Sequence, residues 1–339
     1  SLTKANLQNA ADAAALAGAY DLPNTSIAGS TAIYFAGLNG DGETETTIVS
    51  PYNGDPTKIQ VICKSSVSYT FARALGLTTT DITAQAVAQK TSGLGEAFDY
   101  AVFSGSLTDS LTNNGSNLYI GGSVHSNCKL TIHGSDQTIT GSAEAVSKFT
   151  FNGSNLEIGD ICQASMFSTN GSSINIGTKI TSPATVIDMP DFSDVIQDAA
   201  EEAGQAYSGN KIYNGSRISV DSPIYVNGNL TINGSNFEGT GIVLVSGDIS
   251  FNGSNLMCSS DSAVCFYSAN GDITINGSGA QLDGIVYAPN GTITMNGSNQ
   301  TINGRVIGNE ITFNGSGITI VSEAADLECL PEDSVKLVE

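Results

Sequence analysis

The stretch Ile293-Thr294-Met295-Asn296-Gly297-Ser298 decides the fold, because close variants of it recur from about residue 113 to residue 320. One variant turns on His133, and the others turn on Asn114, Asn152, Asn170, Asn214, Asn233, Asn252, Asn276, Asn296 and Asn314. Subtracting successive turn positions gives steps of 19, 19, 18, 44, 19, 19, 24, 20 and 18 residues. A period near 19 residues with two interruptions indicates a stack of one repeated unit.

Each repeat has room for three short strands. Apolar residues alternate with Thr or Ser before the turn, and a second alternating piece follows it, as in Asn155–Ile158. A third piece often follows a glycine, as in Gly284–Tyr287. Because three strands in one period leave no room for a helix, the pattern predicts a mainly β fold. We expect a three-sided parallel β-helix (β-solenoid) in which each strand pairs with its equivalent one turn along.

The Asn-Gly pair is predicted to form a corner of the coil. Asn tolerates the left-handed backbone region and Gly has no steric penalty there, so the pair can turn the chain sharply. Stacked Asn carboxamides are expected to hydrogen-bond along the axis, which predicts a structural ladder of the nine asparagines. Ordinary hairpins of an antiparallel sheet are the alternative, since Asn-Gly also favours hairpin turns. Hairpins, however, do not require the same residue types at a fixed period.

Composition excludes several classes of partner. The 339 residues carry a formal net charge of -21, which argues against nucleic-acid binding and against docking on an anionic membrane. Charged residues make up only 13% of the chain and hydrophobic residues 40%, enough for a packed core. No stretch approaches the ~20 apolar residues of a membrane span. We expect membrane attachment only through a segment upstream of Ser1.

Six cysteines have no CxxC spacing, and the two histidines, His125 and His133, do not cluster with them. Disulfides in an exported protein are therefore expected ahead of zinc or free thiols. Cys258 and Cys265 bracket a short loop and are the candidate disulfide. The connectivity of the other four is left open: Cys63, Cys128, Cys162 and Cys329.

The first 95 residues are predicted to form a small α+β domain. Residues 1 to about 19 are rich in alanine and favour a helix, and alternating pieces near 46–49, 59–62 and 81–88 indicate strands. The small-residue face of the helix suits close packing, either against its own sheet or between subunits. The candidate assembly residues on this face are Leu7, Ala11, Ala14, Ala15 and Gly18.

Two motifs in this domain carry a resemblance. The run Leu7–Ala19 resembles the signature that follows the membrane helix in TadE/TadG-like proteins of Tad (Flp) pilus systems. The segments 59–61, 71–77 and 82–88 are similar to the second half of the same domain. The resemblance covers roughly residues 1–92 and implies export and a role connected with a pilus.

The remaining chain divides at its repeats. The solenoid is expected to span 96–322, with a helical insertion at about 190–208 that explains the 44-residue step. Pro190 and the acidic residues after it are typical of a helix start. Residues 323–339 are expected to form an acidic C-terminal tail.

The sequence offers little chemistry. Parallel β-helices often degrade polysaccharides, yet the chain lacks a Gly-His-Gly motif beside paired Asp residues, and His125 and His133 are expected to be surface or stack residues. The Asn-Gly-Ser sites match glycosylation sequons, but the corner explains them first. We therefore expect no catalytic, cofactor or metal site.

These patterns favour a structural, non-enzymatic protein of the cell surface or extracellular space, exported by a bacterial-type route. We expect a self-assembling subunit of an extracellular filament or pilus-like appendage, with other copies or other pilus and surface components as partners. A solenoid exposes unpaired strand edges at its ends, which must be capped or used. A monomeric adhesin or glycan-binding β-helix is the alternative, followed by a polysaccharide-active enzyme.

Overall fold

A computed structural model divides the chain into two units: Ser1–Gly93 with Pro331–Glu339 (unit 1), and Leu94–Leu330 (unit 2). The structure describes residues 2–22, 24–40, 44–68, 79–91, 95–190, 192, 197, 205–221, 223–255, 257, 264–322 and 334–338.

Unit 1 packs two helices on an antiparallel sheet. Helix α1 spans Leu2–Tyr20 and α2 spans Thr25–Asn39, with the Oδ1 of Asn24 accepting the Ile27 amide at 3.1 Å as an N-cap. The strands of the sheet are β1 (Glu45–Val49), β2 (Lys58–Ser68), β3 (Thr79–Thr91) and β25 (Ser334–Leu337). Their order in the sheet is β1-β2-β3-β25. The predicted strands at 46–49, 59–62 and 81–88 are confirmed.

Strand β25 corrects the expected acidic tail. Residues 331–339 belong to unit 1, where Val335 pairs with Lys90 and Leu337 with Ala88 of β3. Val335 packs against the core of unit 1, whereas Leu337 keeps 40% of its surface exposed, as suits an edge strand. The chain therefore leaves unit 1 after β3 and returns to it through β25.

Unit 2 is a parallel β-solenoid of about ten turns with about 19 residues per turn, which confirms the predicted fold class. Strands in the first half are β4 (Val102–Ser104), β5 (Ser110–Asn113), β6 (Tyr119–Gly121), β7 (Val124–Ser126), β8 (Lys129–His133), β9 (Gln137–Ile139), β10 (Ala143–Ala145), β11 (Lys148–Gln163) and β12 (Met166–Ile180). Those in the second half are β13 (Ala206–Ser208), β14 (Lys211–Asn214), β15 (Ile218–Asp221), β16 (Ile224–Asn227), β17 (Leu230–Asn233), β18 (Phe237–Val245), β19 (Ile249–Phe251), β20 (Val264–Ser268), β21 (Ile273–Ile275), β22 (Gln281–Met295), β23 (Thr301–Phe313) and β24 (Thr319–Val321). A short 3₁₀ helix, Glu96–Asp99, precedes β4. Every described pairing between these strands is parallel, so the hairpin alternative is wrong for this unit.

The turns do not stack in chain order. The last turn pairs with the first, since β23 pairs with β4 and β5, and β24 pairs with β6. The axial order therefore starts at the Asn214 turn, runs to the Asn314 turn, continues directly with the Asn114 turn and finishes at the Asn170 turn. Nine steps of about 4.8 Å make a rod of roughly 43 Å. We call its extremities the Asn214 end and the Asn170 end.

This order places the points where the chain enters and leaves the solenoid in the middle of the stack. Gly95 and Ser322 adjoin the two middle turns, which pair with each other. The ends of the rod are instead β12 on one side and β13 with β14 on the other, because β12 pairs only with β11 among the described strands.

Residues 181–205, here called the return segment, connect the Asn170 end to the Asn214 end. Its Ala184 amide donates to Ala145 at 3.3 Å and its Phe192 amide donates to the Tyr267 hydroxyl at 3.1 Å. Tyr267 lies several turns nearer the Asn214 end than Ala145, so the described part of the segment runs along the flank towards the Asn214 end. Most of the helix predicted at about 190–208 lies outside the described residues, and its last part, Ala206–Ser208, is a strand.

The described part of the return segment packs on the outer side of the third strands through Ile187, Met189 and Phe192, and the 3₁₀ helix packs there through Ala97 and Phe98. The outward residues of these strands form a second apolar layer apart from the solenoid core. They are Phe103, Tyr225, Leu244, Tyr267, Tyr287 and Ile307. Strands that are buried on both sides read as continuous apolar runs, as Ile285–Ala288 does.

Candidate assembly and surface sites

The predicted asparagine ladder follows the rod in two hydrogen-bonded stretches, one from Asn214 to Asn114 and one from His133 to Asn170. In each hydrogen-bonded Asn–Asn pair the Nδ2 of one asparagine donates to the Oδ1 of the asparagine one turn towards the Asn214 end, at 2.8–3.1 Å. His133 occupies one rung, with its Nδ1 3.1 Å from the Nδ2 of Asn152. The bond from Asn114 to Asn314 carries the ladder across the junction of the two halves. All of these amides thus point the same way along the axis.

The corner itself differs from the prediction. Each turn has a left-handed residue three positions after the turn residue, and none of the turn asparagines is left-handed, so the prediction was wrong for the asparagine. The glycine that follows has a positive φ in two turns, at Gly134 and Gly215. The left-handed residues three positions after the turn residue are Asn117, Asp136, Asn155, Ser173, Arg217, Asn236, Asn255, Gly279, Asn299 and Gly317. Asn and Gly dominate the set because they tolerate a positive φ.

The glycine after each turn asparagine is required by close stacking. A Cβ on Gly315 would lie 2.5 Å from the carbonyl carbon of Gly297 in the next turn. At Gly215, in the terminal turn, a Cβ would meet nothing within 4 Å. The motif therefore keeps glycine because two backbones approach each other at this corner.

The two end turns break the pattern of inward apolar residues. The residue three positions before the turn residue faces inward, and in eight of the turns it is apolar and buried. At the Asn170 end this position holds the half-buried Phe167. At the Asn214 end it holds Lys211. On the third strand, Lys179 pairs with buried Cys162 and so takes an inward position at the Asn170 end. Each end of the rod thus presents a lysine where other turns have an apolar side chain.

His125 is fully buried beneath the return segment. Its Nδ1 lies 3.3 Å from the Oε2 of Glu144, and its Nε2 lies 3.0 Å from the Oδ1 of Asn127. The Tyr100 hydroxyl donates to the same Glu144 oxygen at 2.9 Å. The hydrogen bond from His125, followed by that from Tyr100, lowers the pKa of Glu144 despite its burial.

Asn127 links this network to the return segment. Its Nδ2 donates to the Ile187 carbonyl at 2.7 Å, and its Oδ1 accepts the Ile187 amide at 3.0 Å. The cluster therefore holds the described part of the return segment on the flank, and His125 is a buried residue of the strand stack, in register with Phe103 and Glu144. The sequence places His125 on a third strand but does not reveal that this strand is covered.

The predicted assembly face of α1 lies inside unit 1. Its members are buried in the packing of α1 on α2 and the sheet: Leu7, Ala11, Ala14, Ala15 and Gly18. A Cβ on Gly18 would lie 2.9 Å from the Cβ of Ala32 and 2.8 Å from the Ala28 carbonyl. The close approach expected of this face is thus made within the chain, and the assembly role assigned to it is wrong.

Helix α2 presents the apolar surface that α1 does not. It buries Ala28, Ala32 and Ala36, so its small residues face inward. Its large apolar residues are exposed, and Tyr34 and Leu38 keep 64% and 61% of their surface. We define the α2 outer face as Ile27, Ile33, Tyr34, Phe35 and Leu38. Thr25–Asn39 contains no charged residue, so this face is an uncharged apolar patch.

The described cysteines correct the disulfide expectation in part. Cys63, Cys128 and Cys162 are free and buried, so disulfides at these three positions were predicted wrongly. Burial raises the pKa of the Cys162 thiol to about 12. Cys258 and Cys329 lie outside the described residues, and the Cys258–Cys265 pair stays a prediction.

An open depression lies on the polar face beside the Asn170 end. It is lined by Asp136, Gln137, Thr138, Asn155, Leu156, Glu157, Ser173 and Asn175. Within the described ranges, His, Cys, Asp and Glu side chains form no group of three or more that could hold a metal ion. Neither described helix has the length and apolar character that a membrane span requires.

Comparisons with known proteins extend to part of the chain. Residues 214–325 match a family described as "Domain of unknown function (DUF7305)". This match covers about a third of the chain, from the Asn214 end to the last turn. The search of curated proteins finds no match. Among solved structures, the chain is similar to the competence-associated pilin ComZ from Thermus thermophilus, with a TM-score of 0.48 and 9% identity over 87% of this chain and 84% of that one.

Proposed function

We propose that the chain is a structural, non-enzymatic surface protein that assembles with further copies of itself into an extracellular, pilus-like structure. In this proposal the solenoid is a rigid displayed rod and the α2 outer face is the contact between copies. The TadE/TadG-like motifs in residues 1–92 support an exported protein of this kind.

The observation that carries the proposal is the inverted packing of α2. Helices of folded domains bury their large apolar side chains and expose polar ones, whereas α2 buries alanines and exposes Tyr34 and Leu38. An exposed apolar patch of this kind is typical of an interaction site. Because α2 carries no charge, two such faces meet without the repulsion expected from a chain of net charge -21.

Both histidines support a non-enzymatic role. His125 is closed off under the return segment, and His133 is a rung of the ladder. A general acid or base must reach its substrate, and the fully buried ring of His125 is closed off from one.

Self-association of the purified full chain tests the proposal. We expect multi-angle light scattering and negative-stain microscopy to show concentration-dependent assembly of the wild type. Tyr34→Glu with Leu38→Glu should reduce it, because a carboxylate in an apolar contact must be desolvated. Thr83→Glu with Gln85→Glu adds the same charge to exposed positions of β3 and should leave assembly unchanged. Strictly monomeric wild type under all conditions would refute the proposal.

The depression beside the Asn170 end favours a second candidate, a glycan-binding surface protein. Its lining of carboxylates, carboxamides and hydroxyls can hydrogen-bond sugar hydroxyls. A glycan array probed with the wild type and with Thr138→Ala combined with Glu157→Ala would test it. Binding that is equal for both proteins, or absent, would argue against this candidate.

A further inference from the structure

Inward-facing residues at equivalent positions of successive turns stack into columns along the axis of the solenoid. Two of these columns end in a lysine, one at each end of the rod. The first-strand column is apolar through all of its interior positions: Leu111, Leu130, Phe149, Leu230, Ile249, Ile273, Ile293 and Ile311. It ends in Lys211 at the Asn214 end. Strand register also aligns a third-strand column, which is apolar through Cys162, Ala143, Val124, Val102, Val306, Val286, Phe266, Val243 and Ile224. That column ends in Lys179 at the Asn170 end.

Each lysine lies over the aromatic side chains that the end leaves uncovered. The Nζ of Lys179 is 4.1 Å from the centre of the Phe167 ring. The Nζ of Lys211 is 4.0 Å from the ring centre of Tyr207 and 5.1 Å from that of Tyr213. These cation–π contacts keep an ammonium group above the last apolar layer at each end.

Apart from the lysines, the two ends are complementary. The hydrogen bonds of the ladder all run in one direction along the axis. Asn170 therefore offers its Oδ1 as an acceptor at one end, and Asn214 offers its Nδ2 as a donor at the other. Continuing the register by one turn would place Asn214 of a second copy on Asn170, and Ile218 on Ile174. A contact of this kind is head-to-tail, and it continues into a filament because it does not close on itself.

The lysines oppose this contact. A head-to-tail junction would enclose Lys179 of one copy and Lys211 of the next within one apolar layer. Removing two ammonium groups from water carries a large desolvation penalty, because neither inward position has a carboxylate to pair with. The two like charges also repel each other, and the low dielectric of an apolar layer strengthens this repulsion. Inward-pointing charges are a known means of protecting an exposed strand edge.

We propose that Lys179 and Lys211 are gatekeepers that stop the rods from joining end to end. With both charges removed, the ends become a head-to-tail interface for a second copy of this chain. This contact is separate from the α2 outer face, so the inference goes beyond the proposed function.

The full chain carrying Lys179→Met with Lys211→Met tests the inference. We expect negative-stain images to show rods joined into lengths of two or more wild-type rods, and light scattering to show a matching rise in mass. Lys129→Met with Lys148→Met is the matched control, because these lysines begin strands β8 and β11 in interior turns, which have a neighbour on both sides, and lie one residue before the inward position. Rod lengths equal to those of the control would overturn the inference. Lys179→Gln with Lys211→Gln supplies a second neutral pair, so that a folding defect in the Met pair does not decide the result.

Cross-linking determines the orientation and separates this contact from assembly through α2. Equivalent Cα atoms in stacked turns are about 4.8 Å apart, within the range of a disulfide. Asn170→Cys and Asn214→Cys, placed in the Met pair, should form an intermolecular 170–214 bond that peptide mapping identifies after mild oxidation. The same cysteines in the wild-type background should not. A 170–170 bond, or equal cross-linking in both backgrounds, would contradict the gatekeeper role.

Discussion

Replacing Gly315 by alanine tests why the repeat contains glycine. The new Cβ would overlap the Gly297 carbonyl oxygen and lie 2.5 Å from its carbonyl carbon, about 1 Å inside normal carbon–carbon contact. The turn must shift by at least that amount. A shift of this size takes the bond between Asn314 Nδ2 and Asn296 Oδ1 from 2.9 Å beyond hydrogen-bonding distance.

Two further hydrogen bonds flank the same glycine. The Asn314 amide donates to the Met295 carbonyl at 2.8 Å, and the Ser316 amide donates to the Ser298 hydroxyl at 3.3 Å. With the ladder bond, three hydrogen bonds are lost or weakened, at about 1 kcal/mol each. We expect the free energy of unfolding to fall by about 3 kcal/mol and Tm by roughly 6–12 °C for a unit of this size.

Gly215→Ala is the matched control, since it has the same position in the repeat and no turn below it. Its φ of 126° makes alanine strained, so a loss of about 1 kcal/mol is expected from strain alone. Thermal and urea unfolding of the full chain, followed by far-UV circular dichroism, measures both variants. Equal losses, or no loss at Gly315, would refute the stacking explanation.

Three more predictions concern the ladder, the buried carboxylate and a thiol. Asn296→Ala removes two hydrogen bonds of the ladder and Asn214→Ala removes one. Urea unfolding should therefore show the free energy of unfolding fall by about 2 kcal/mol for Asn296→Ala and about 1 kcal/mol for Asn214→Ala. Equal losses in the two variants would contradict the ladder. The pKa of Glu144 is lowered in the folded chain. Ionised Glu144 therefore adds to the free energy of unfolding above the ordinary carboxyl pKa, and this stabilisation is lost as the pH falls through the lowered pKa. Tm should therefore fall less steeply on acidification in Glu144→Gln, and parallel pH profiles would argue against the His125 contact. Cys162 should resist a thiol reagent at neutral pH until the protein unfolds, since burial raises its pKa to about 12; rapid native labelling, mapped by mass spectrometry, would count against its burial.

Much of unit 2 could be predicted because its signal is local and repeated. The spacing of residues such as Asn233 and Asn252 reports one turn of the coil, and alternation around them reports which side chains face inward. The ladder follows from the same period, because equal spacing puts equal side chains in register.

The axial order of the turns could not be predicted in this way. The copies around Asn114 and Asn314 have the same motif as their neighbours, so nothing local says that these two turns pair. That pairing depends on the return segment, whose contacts with Asn127 and Tyr267 join residues far apart in the chain. The continuous apolar run Ile285–Ala288 was the available signal, since it indicates a strand buried on both sides.

The assembly residues were misplaced for a related reason. A small-residue face on α1 predicts close packing but does not name the partner, and the partner is α2 of the same chain. The composition of α2, with three alanines at a spacing of four residues among large apolar residues, contains the missing information. Only the structure shows that the alanines, and not Tyr34 or Leu38, face inward.

The pairing of the first and last turns also makes the rod modular. The chain enters and leaves unit 2 on adjacent turns, so a host domain needs only two neighbouring attachment points to hold it, here after β3 and before β25. Repeats gained or lost in either half would change the length of the rod by about 4.8 Å per turn and leave those attachment points beside each other. Such an architecture can vary in reach over evolution without any change in the domain that carries it.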